Sequence, residues 1–218
     1  MGLFITFEGI EGCGKTTQID LLKKYFEAKG RDVLSLREPG GTELGEKVRG
    51  ILLNSSSEPI DAQAELFLYE ACRAQLVSRI IRPALSEGKV VISDRFIDST
   101  VAYQGYGRGL DIGSVSLMNA FATGGLIPAV TFLLDCEPEV GLKRAWERID
   151  ASTGPREDRF EKENIIFHKK VREGYLSLSR AEPRIRVVNA SGEIPSIHGE
   201  ICDIINKMRE FDRKSDIK

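Results

Sequence analysis

Short apolar runs alternate along the chain with longer segments of helical periodicity. The runs are nearly continuous in apolar character, which is typical of strands covered on both faces of a sheet, and they occupy residues 3–7, 33–36, 90–93, 130–134 and 185–188. Helical patterns fill about 15–29 and 61–85, and a C-terminal apolar stripe contains Ile197, Ile201, Ile204, Met208 and Phe211. The alternation predicts β-α-β units and a three-layer α/β fold, in which helices flank a five-stranded, mostly parallel, doubly wound sheet.

The uncharged segment 112–134 needs a separate interpretation, because its length would suit a membrane span. Glycines at 124 and 125 and a proline at 128 interrupt it, and four polar residues make it too hydrophilic for hydrocarbon: Ser114, Ser116, Asn119 and Thr123. It is therefore predicted to form a short helix, a turn and a strand. Residues 1–5 lack the basic start of a signal peptide, so no membrane partner is expected.

Composition narrows the class of protein further. The chain has 218 residues, which favours one domain, and its net charge of -2 gives no global positive field that would hold nucleic acid. Four widely spaced cysteines and only two histidines argue against both a disulfide framework and a zinc site. A reducing compartment, the cytoplasm, fits this cysteine usage. We predict a single domain over 1–211 and a charged tail over 212–218 that frays.

The strongest chemical signal is the segment 9–16, which matches G-x-x-x-x-G-K-[ST] after a predicted strand and at the start of a predicted helix. Such a loop turns N–H groups and a helix N-terminus towards phosphate oxygens. Lys15 can reach the β- and γ-phosphates, and Thr16 can bind Mg²⁺. The predicted ATP-binding residues of this segment and its immediate neighbour are Gly9, Ile10, Glu11, Gly12, Cys13, Gly14, Lys15, Thr16 and Thr17. The sequence has no D-x-x-G or N-K-x-D motif, which disfavours a GTPase switch.

A second anion site is predicted where Asp94 and Arg95 follow the third apolar run, at the edge where open α/β sheets bind ligands. Arg95 offers a planar fork to a phosphate. Asp94 could hold Mg²⁺ through water or hold Arg95 in place, and the alternative for both residues is a surface ion pair. Phe67 and Arg73 share a helical ridge and suit a flat base that carries a phosphate. A core Phe and a solvated Arg are the ordinary alternative for this ridge.

The charged segment 143–162 contains Gly154 and Pro155 in its middle, and it predicts a lid near 148–161. Arginines that close over a phosphoryl group neutralise its charge during transfer. The alternative is a solvated helix with ion pairs, which we favour for Arg148. The arginines of this segment are Arg144, Arg148, Arg156 and Arg159.

Taken together, these motifs resemble those of the bacterial thymidylate kinase family over nearly the whole chain. The resemblance is carried by FEG at 7–9, REPGGT at 37–42, Phe67 with Arg73, DRF at 94–96, the segment 102–109 and DRFE at 158–161. It implies the P-loop NTPase fold, transfer of the ATP γ-phosphoryl group to dTMP in dTTP synthesis, Mg²⁺ as cofactor and a homodimer. The nearest alternative is another nucleoside monophosphate or deoxynucleoside kinase, and a P-loop ATPase switch is a more distant one.

The resemblance also implies which residues bind the base and the sugar of dTMP. Phe67 would stack on thymine, while Thr100 and Gln104 would bind the edge of the base. Tyr103 would crowd the C2′ position of the sugar, and Glu11 would bind the 3′-hydroxyl.

The same resemblance implies ligands for the phosphates and the adenine. Arg73 and Arg95 would hold the acceptor phosphate, in a substrate site that includes Pro39, and Arg144 would lie against adenine. The predicted metal ligands, Thr16 and Asp94, follow from the phosphate loop and the third apolar run themselves. The phosphate loop contains no arginine, so the lid would supply one, and the predicted catalytic residues are Lys15, Arg95, Arg156 and Arg159. Which of the two lid arginines contributes more is left open.

Overall fold

The computed structural model describes residues 2–54, 58–154 and 157–215. At its centre is a parallel sheet of five strands in the order β2-β3-β1-β4-β5. The strands are β1 (Leu3–Glu8), β2 (Val33–Arg37), β3 (Val90–Asp94), β4 (Val130–Asp135) and β5 (Ile185–Asn189). All five predicted strands and the predicted α/β class are confirmed.

Helices connect consecutive strands. Their bounds are α1 (Lys15–Glu27), α2 (Glu43–Leu53), α3 (Ala62–Leu76), α4 (Arg82–Ser86), α5 (Ile97–Thr100), α6 (Ile112–Thr123), α7 (Pro138–Ala151), α8 (Ile165–Ala181) and α9 (Ile194–Ser215). Side-chain caps define several starts, because a cap satisfies an N–H group that has no partner inside the helix. Asp61 accepts from Gln63 N at 2.8 Å before α3, and Asn164 accepts from Phe167 N at 2.9 Å before α8.

The helix predicted over about 61–85 is interrupted by a wider turn. α3 continues through a π-helical turn, Val77–Ile81, into α4. Pro83 explains the change, since proline has no N–H group and its ring clashes with the carbonyl of the residue four positions earlier in a regular helix. A second π-helical segment, Val101–Gly107, follows α5 and carries Tyr103 and Gln104.

Both faces of the three central strands are covered, and β1, β3 and β4 are therefore buried along almost their whole length. Successive side chains of a strand point to opposite faces. Ile5 and Ile92 belong to one core with α1, α8 and α9, whereas Phe4 and Val91 belong to a second core with α3 and α4. The sheet is therefore a rigid middle layer whose strand ends can position a site.

The uncharged segment 112–134 is α6, a turn and β4, as predicted. Within the described ranges, no helix has the length and apolar character needed to cross a membrane. The predicted stripe on α9 faces the core through Ile197 and Ile201, with Ile204 and Met208 partly buried beside them. Residues 212–215 belong to α9, and the fraying of 212–218 stays a prediction.

Candidate active site

The phosphate loop joins β1 to α1 and depends on glycine conformations. Gly12 has a φ of 67° and Gly14, which precedes α1, has a φ of 92°, values that glycine adopts without steric cost. A Cβ on Gly12 would lie 2.0 Å from the carbonyl oxygen of Gly141, so the loop packs directly on the first turns of α7. Lys15 Nζ donates to the carbonyl oxygens of Gly9 at 3.1 Å and Ile10 at 2.9 Å. The motif thus forms the curved loop that suits phosphate.

A cleft of about 1490 Å³ lies at the carboxyl ends of the strands. The loops after β1 and β2 line it, together with Asp94 and Arg95 at the end of β3. Residues of α3, α7 and the π-helical segment 101–107 complete its walls. Three neighbouring strand ends therefore bring polar groups to one edge, which is where open α/β sheets bind ligands.

Arg95 lines the cleft and has a φ of 72°, in the left-handed region that residues other than glycine rarely adopt. Its guanidinium donates to the hydroxyl oxygens of Tyr175 and Tyr103, each at 3.0 Å, and to Ser99 Oγ and Glu11 Oε1, each at 3.1 Å. Such a backbone costs roughly 1–2 kcal/mol and persists where its surroundings over-determine it, commonly at functional sites. The four partners fix the guanidinium next to the phosphate loop.

Glu11 connects the phosphate loop to Arg95. Its Oε1 accepts from Arg95 and from the Tyr103 hydroxyl, and the buried His168 places Nδ1 3.4 Å from Oε2. Burial alone would raise the pKa of Glu11, but the contact with His168 and the charge of Arg95 outweigh burial and lower the pKa to about 2. Glu11 is therefore a carboxylate at neutral pH and can hold Arg95 in place.

Glu8 supports the same arginine from a fully buried position at the end of β1. It accepts from Phe96 N at 2.7 Å, Ser99 Oγ at 2.5 Å and Tyr175 Oη at 2.9 Å. Burial, and then the nearby charge of Asp98, raise the pKa of Glu8 to about 7. Since Ser99 and Tyr175 also accept from Arg95, Glu8 orients both hydroxyl groups that hold the guanidinium.

Arg73 is a second arginine of the cleft, and its side chain is 1% exposed. Its guanidinium donates to groups on four segments: Glu38 Oε2 at 2.9 Å, Glu70 Oε1 at 3.1 Å, Thr100 Oγ1 at 2.8 Å, Asn119 Oδ1 at 2.7 Å and Phe96 O at 3.0 Å. Burial raises the pKa of Glu38 and Glu70, although the charge of Arg73 opposes this. Arg73 is thus built into the wall of the cleft as well as facing it.

Residues 7–201 match the family model described as thymidylate kinase. A protein named thymidylate kinase from Citrifermentans bemidjiense is 54% identical over 195 residues, which cover 89% of this chain and 87% of that protein. One from Desulfosudis oleivorans is 47% identical over 213 residues, 97% of this chain and 100% of that protein. The crystal structure of thymidylate kinase from Ehrlichia chaffeensis has a TM-score of 0.74 at 34% identity and covers 94% of this chain and 98% of that chain.

The chain belongs to the thymidylate kinase family. Family membership confirms the predicted P-loop fold and the predicted enzyme, a nucleoside monophosphate kinase that phosphorylates dTMP to dTDP with ATP. Neither alternative, a kinase for another monophosphate or a P-loop ATPase switch, is favoured.

Most residues that the sequence assigned to the thymidylate kinase site line one cleft. They are Glu11, Gly12, Cys13, Gly14, Lys15, Thr16, Thr17, Pro39, Arg73, Asp94, Arg95, Thr100, Tyr103, Gln104 and Arg144. Gly9 and Ile10 instead supply the carbonyl groups that accept from Lys15. Arg156 lies outside the described residues. The structure brings the set together, and the role of each residue stays a prediction.

Phe67 requires a correction. Its side chain does not line the cleft and is 56% exposed, whereas Tyr69 lines the cleft and is partly buried. The helix explains the difference, because six residues leave Phe67 about 120° away from Arg73 around α3, while four residues bring Tyr69 close to the same face. Tyr69 can be recognised from the sequence because it lies four residues before the buried Arg73.

Arg159 does not line the cleft either. Its NH1 donates to Glu65 Oε2 at 2.6 Å, its Nε donates to the carbonyl oxygen of Leu52, and its guanidinium lies 4.4 Å from the centre of the Phe160 ring. In this arrangement Arg159 ties the segment before α8 to α2 and α3. Its predicted part in phosphoryl transfer stays a prediction.

The predicted metal ligands, Thr16 and Asp94, are neighbours in the cleft, and Thr16 Oγ1 lies 3.5 Å from Asp94 Oδ2. Hydroxyl and carboxylate oxygens suit Mg²⁺, which usually takes one or two protein ligands and completes its shell with water and substrate phosphates. The donor set therefore fits Mg²⁺.

Sequence reasoning missed the residues that hold the site arginines. They are Glu38 and Glu70 for Arg73, and Glu8, Ser99 and Tyr175 for Arg95. Glu8 and Glu38 lie inside motifs that the sequence singled out, FEG and REPGGT. Tyr175 is 80 residues from Arg95, and no spacing rule connects them.

Proposed function

We propose that the protein transfers the γ-phosphoryl group of ATP to the 5′-phosphate of dTMP inside the cleft, with Arg95 between the two nucleotides. The observation that carries the proposal is the contact of 3.1 Å between Arg95 and Glu11. Because Glu11 belongs to the phosphate loop, the arginine for the acceptor and the loop for the donor form one unit. A cation at this position offsets the repulsion between the two phosphate groups.

On the donor side, the phosphate loop and Lys15 bind the ATP phosphates. Arg144, which is exposed and lines the cleft on α7, lies against adenine. Thr16 and Asp94 hold Mg²⁺, which supplies charge neutralisation at the phosphates when it is bound.

On the acceptor side, Tyr69 takes the stacking role that the family resemblance implies for Phe67. Thr100 and Gln104 bind the edge of the base. Near the sugar, the Tyr103 hydroxyl donates to Glu11, so the two residues shape one surface for the C2′ and 3′ positions. The phosphate of dTMP lies by Arg95 and Arg73, with Pro39 in the neighbouring wall.

The transfer needs no general base. The second pKa of a phosphate monoester is about 6, so the attacking oxygen already carries charge near neutral pH. The protein contributes alignment and charge neutralisation through Lys15, Arg95 and an arginine of the lid, Arg156 or Arg159. The segment 148–161 closes over the nucleotides and excludes water, which would otherwise compete as the acceptor.

The homodimer and the cytoplasmic location also belong to this proposal. α3 and α6 pack together through Leu66 and Val115, and they expose Phe67 at 56%, Leu117 at 72% and Phe121 at 91%. Large exposed apolar side chains are typical of protein interfaces, so we assign these helices to a homodimer contact. Buried free thiols at Cys13, Cys72 and Cys136 suit a reducing compartment.

A coupled assay of ADP release tests the proposed reaction. The protein is supplied with ATP and Mg²⁺ and with each of dTMP, dUMP, CMP, AMP and GMP. We expect the highest kcat/KM with dTMP and little ATP hydrolysis when no acceptor is present. Faster turnover of a purine monophosphate, or hydrolysis that no acceptor stimulates, would contradict the proposal.

A further inference from the structure

Glu65 is a buried carboxylate beside the predicted base site, and no catalytic or binding role in the reaction uses it. It lies on α3 with no exposed surface. Its Oε1 accepts from Gln104 Nε2 at 2.6 Å and Arg108 Nε at 3.2 Å, and its Oε2 accepts from Arg159 NH1 at 2.6 Å and Arg108 NH2 at 3.2 Å. Both carboxylate oxygens of Glu65 therefore accept hydrogen bonds, from two guanidinium groups and one amide.

This contact fixes the orientation of the Gln104 side chain. A carboxylate accepts hydrogen bonds, so it selects the NH₂ end of the amide and repels the carbonyl end. Gln104 is 1% exposed and lines the cleft. Among the described residues, none donates a hydrogen bond to Gln104 Oε1. Glu65 thus leaves one acceptor, Oε1, and the second N–H of Nε2 for a ligand.

The remaining pair of groups matches one class of pyrimidine. Thymine and uracil present an N3–H donor next to a C4 carbonyl acceptor, which complements a carbonyl next to an N–H. Cytosine presents an N3 acceptor next to a C4 amino donor, and it needs the amide turned by 180°. Turning Gln104 would place its carbonyl oxygen against the Glu65 carboxylate.

We propose that Glu65 is a positioning residue that locks the Gln104 amide for 4-oxo pyrimidines and rejects 4-amino pyrimidines. The inference rests on the proposed function, because it takes Gln104 to bind the edge of the base. A site that is built for one hydrogen-bonding pattern discriminates strongly against the reverse pattern, since buried polar groups are then left unpaired. Glu65 is itself held in place by Arg159, whose NH1 donates to Oε2 at 2.6 Å and does not depend on Arg108.

The test compares dTMP with two analogues, one that differs from it only at the N3 and C4 edge of the base and one that differs only at C5. 5-Methyl-dCMP keeps the methyl group, sugar and phosphate of dTMP but reverses the N3 and C4 pattern. dUMP keeps that pattern and lacks only the methyl group. For each protein, kcat/KM is measured for dTMP and dUMP, and the inhibition constant of 5-methyl-dCMP against dTMP is measured, which does not require turnover.

Glu65→Gln is the main variant, because a neutral amide at position 65 can pair with either end of Gln104. We expect the ratio of the 5-methyl-dCMP inhibition constant to the dTMP KM to fall at least tenfold, while the ratio of kcat/KM for dTMP and dUMP changes less than twofold. Arg108→Met is the matched control: it removes a different partner of Glu65 and leaves the contact with Gln104, so it should keep both ratios.

If thermal unfolding shows that Glu65→Gln does not fold, the double variant Glu65→Met with Arg108→Met replaces it, because it also removes a cation that would be left buried without its partner. An unchanged 5-methyl-dCMP ratio in the folded variant overturns the inference, and so does an equal change in Arg108→Met. Failure of the wild-type protein to phosphorylate dTMP would instead refute the proposed function.

Discussion

Replacing Tyr69 by alanine removes the aromatic ring that α3 presents to the cleft, one helical turn before Arg73. Stacking of a base on an aromatic side chain is worth about 1–3 kcal/mol when measured by alanine substitution. That range corresponds to a rise of about 5- to 150-fold in the KM for dTMP. Phe67→Ala is the matched control: its ring is 56% exposed on the face that we assign to the homodimer contact and lies outside the cleft, so at protein concentrations that keep the dimer the KM for dTMP should stay within about twofold of wild type.

Initial rates are measured against dTMP at saturating ATP, and then against ATP at saturating dTMP. Tyr69→Ala should raise the KM for dTMP with little change in the KM for ATP, because the phosphate loop is intact. Tyr69→Phe keeps the ring and should restore most of the affinity for dTMP. A raised KM for dTMP in Phe67→Ala together with an unchanged one in Tyr69→Ala would refute the assignment and return the stacking role to Phe67.

Three further predictions concern charge and packing. Arg95→Ala should lower kcat by about 10³-fold, since arginines on a transferring phosphoryl group contribute on this scale. A thermal unfolding scan and the variant Arg95→Lys distinguish a loss of catalysis from a loss of structure. Near-normal turnover of Arg95→Ala would remove Arg95 from the mechanism. Glu8 has a pKa of about 7 in the folded protein, whereas its ordinary value is 4.5. Between these pH values the folded state keeps a proton that the unfolded state has lost. The free energy of unfolding should therefore fall by about 3 kcal/mol as pH rises from 4.5 to 7. Urea unfolding at several pH values should show a flatter profile for Glu8→Gln, and equal slopes in the two proteins would disprove the shift. Gly141→Ala would place a Cβ 2.4 Å from the carbonyl oxygen of Glu11, so it should lower the Tm and raise the KM for ATP. Gly199→Ala is the control, because a Cβ added there would meet nothing within 4 Å beyond its own stretch of helix, and it should change neither the Tm nor the KM.

The sequence predicts the sheet well because its signal is local. Each strand is a continuous apolar run, and the phosphate loop is a contiguous motif between a strand and a helix, so both can be recognised from neighbouring residues. The ends of the strands then place Glu11, Asp94 and Arg95 at one edge without any knowledge of tertiary contacts.

The orientation of side chains on the helices was harder to predict. A ridge of residues spaced by three drifts around the helix, so Phe67 does not share the cleft-facing side of α3 with Arg73, whereas Tyr69 does. The prediction for Arg159 depends on a tertiary partner, Glu65, which lies 94 residues away. Neither periodicity nor composition contains that information, because the contact forms only when the segment before α8 packs on α3.

The two arginines of the acceptor site illustrate why position in a cleft does not by itself define a role. Arg73 joins α3 to the loop after β2, to α5 and the residue preceding it, and to α6 through four acceptors, and it also donates to Glu70 on α3 itself. Truncating it would leave buried carboxyl groups without their cation, which is strongly destabilising, so a loss of activity would report on folding as much as on phosphate binding. Arg95 is 19% exposed and three of its four side-chain partners are hydroxyl groups, which can rotate and pair with one another when the guanidinium is removed. The fourth partner, Glu11, keeps its contacts with Tyr103 and His168. The chemistry of the acceptor phosphate is therefore better resolved at Arg95, where the cost to the fold and the cost to the reaction can be measured apart.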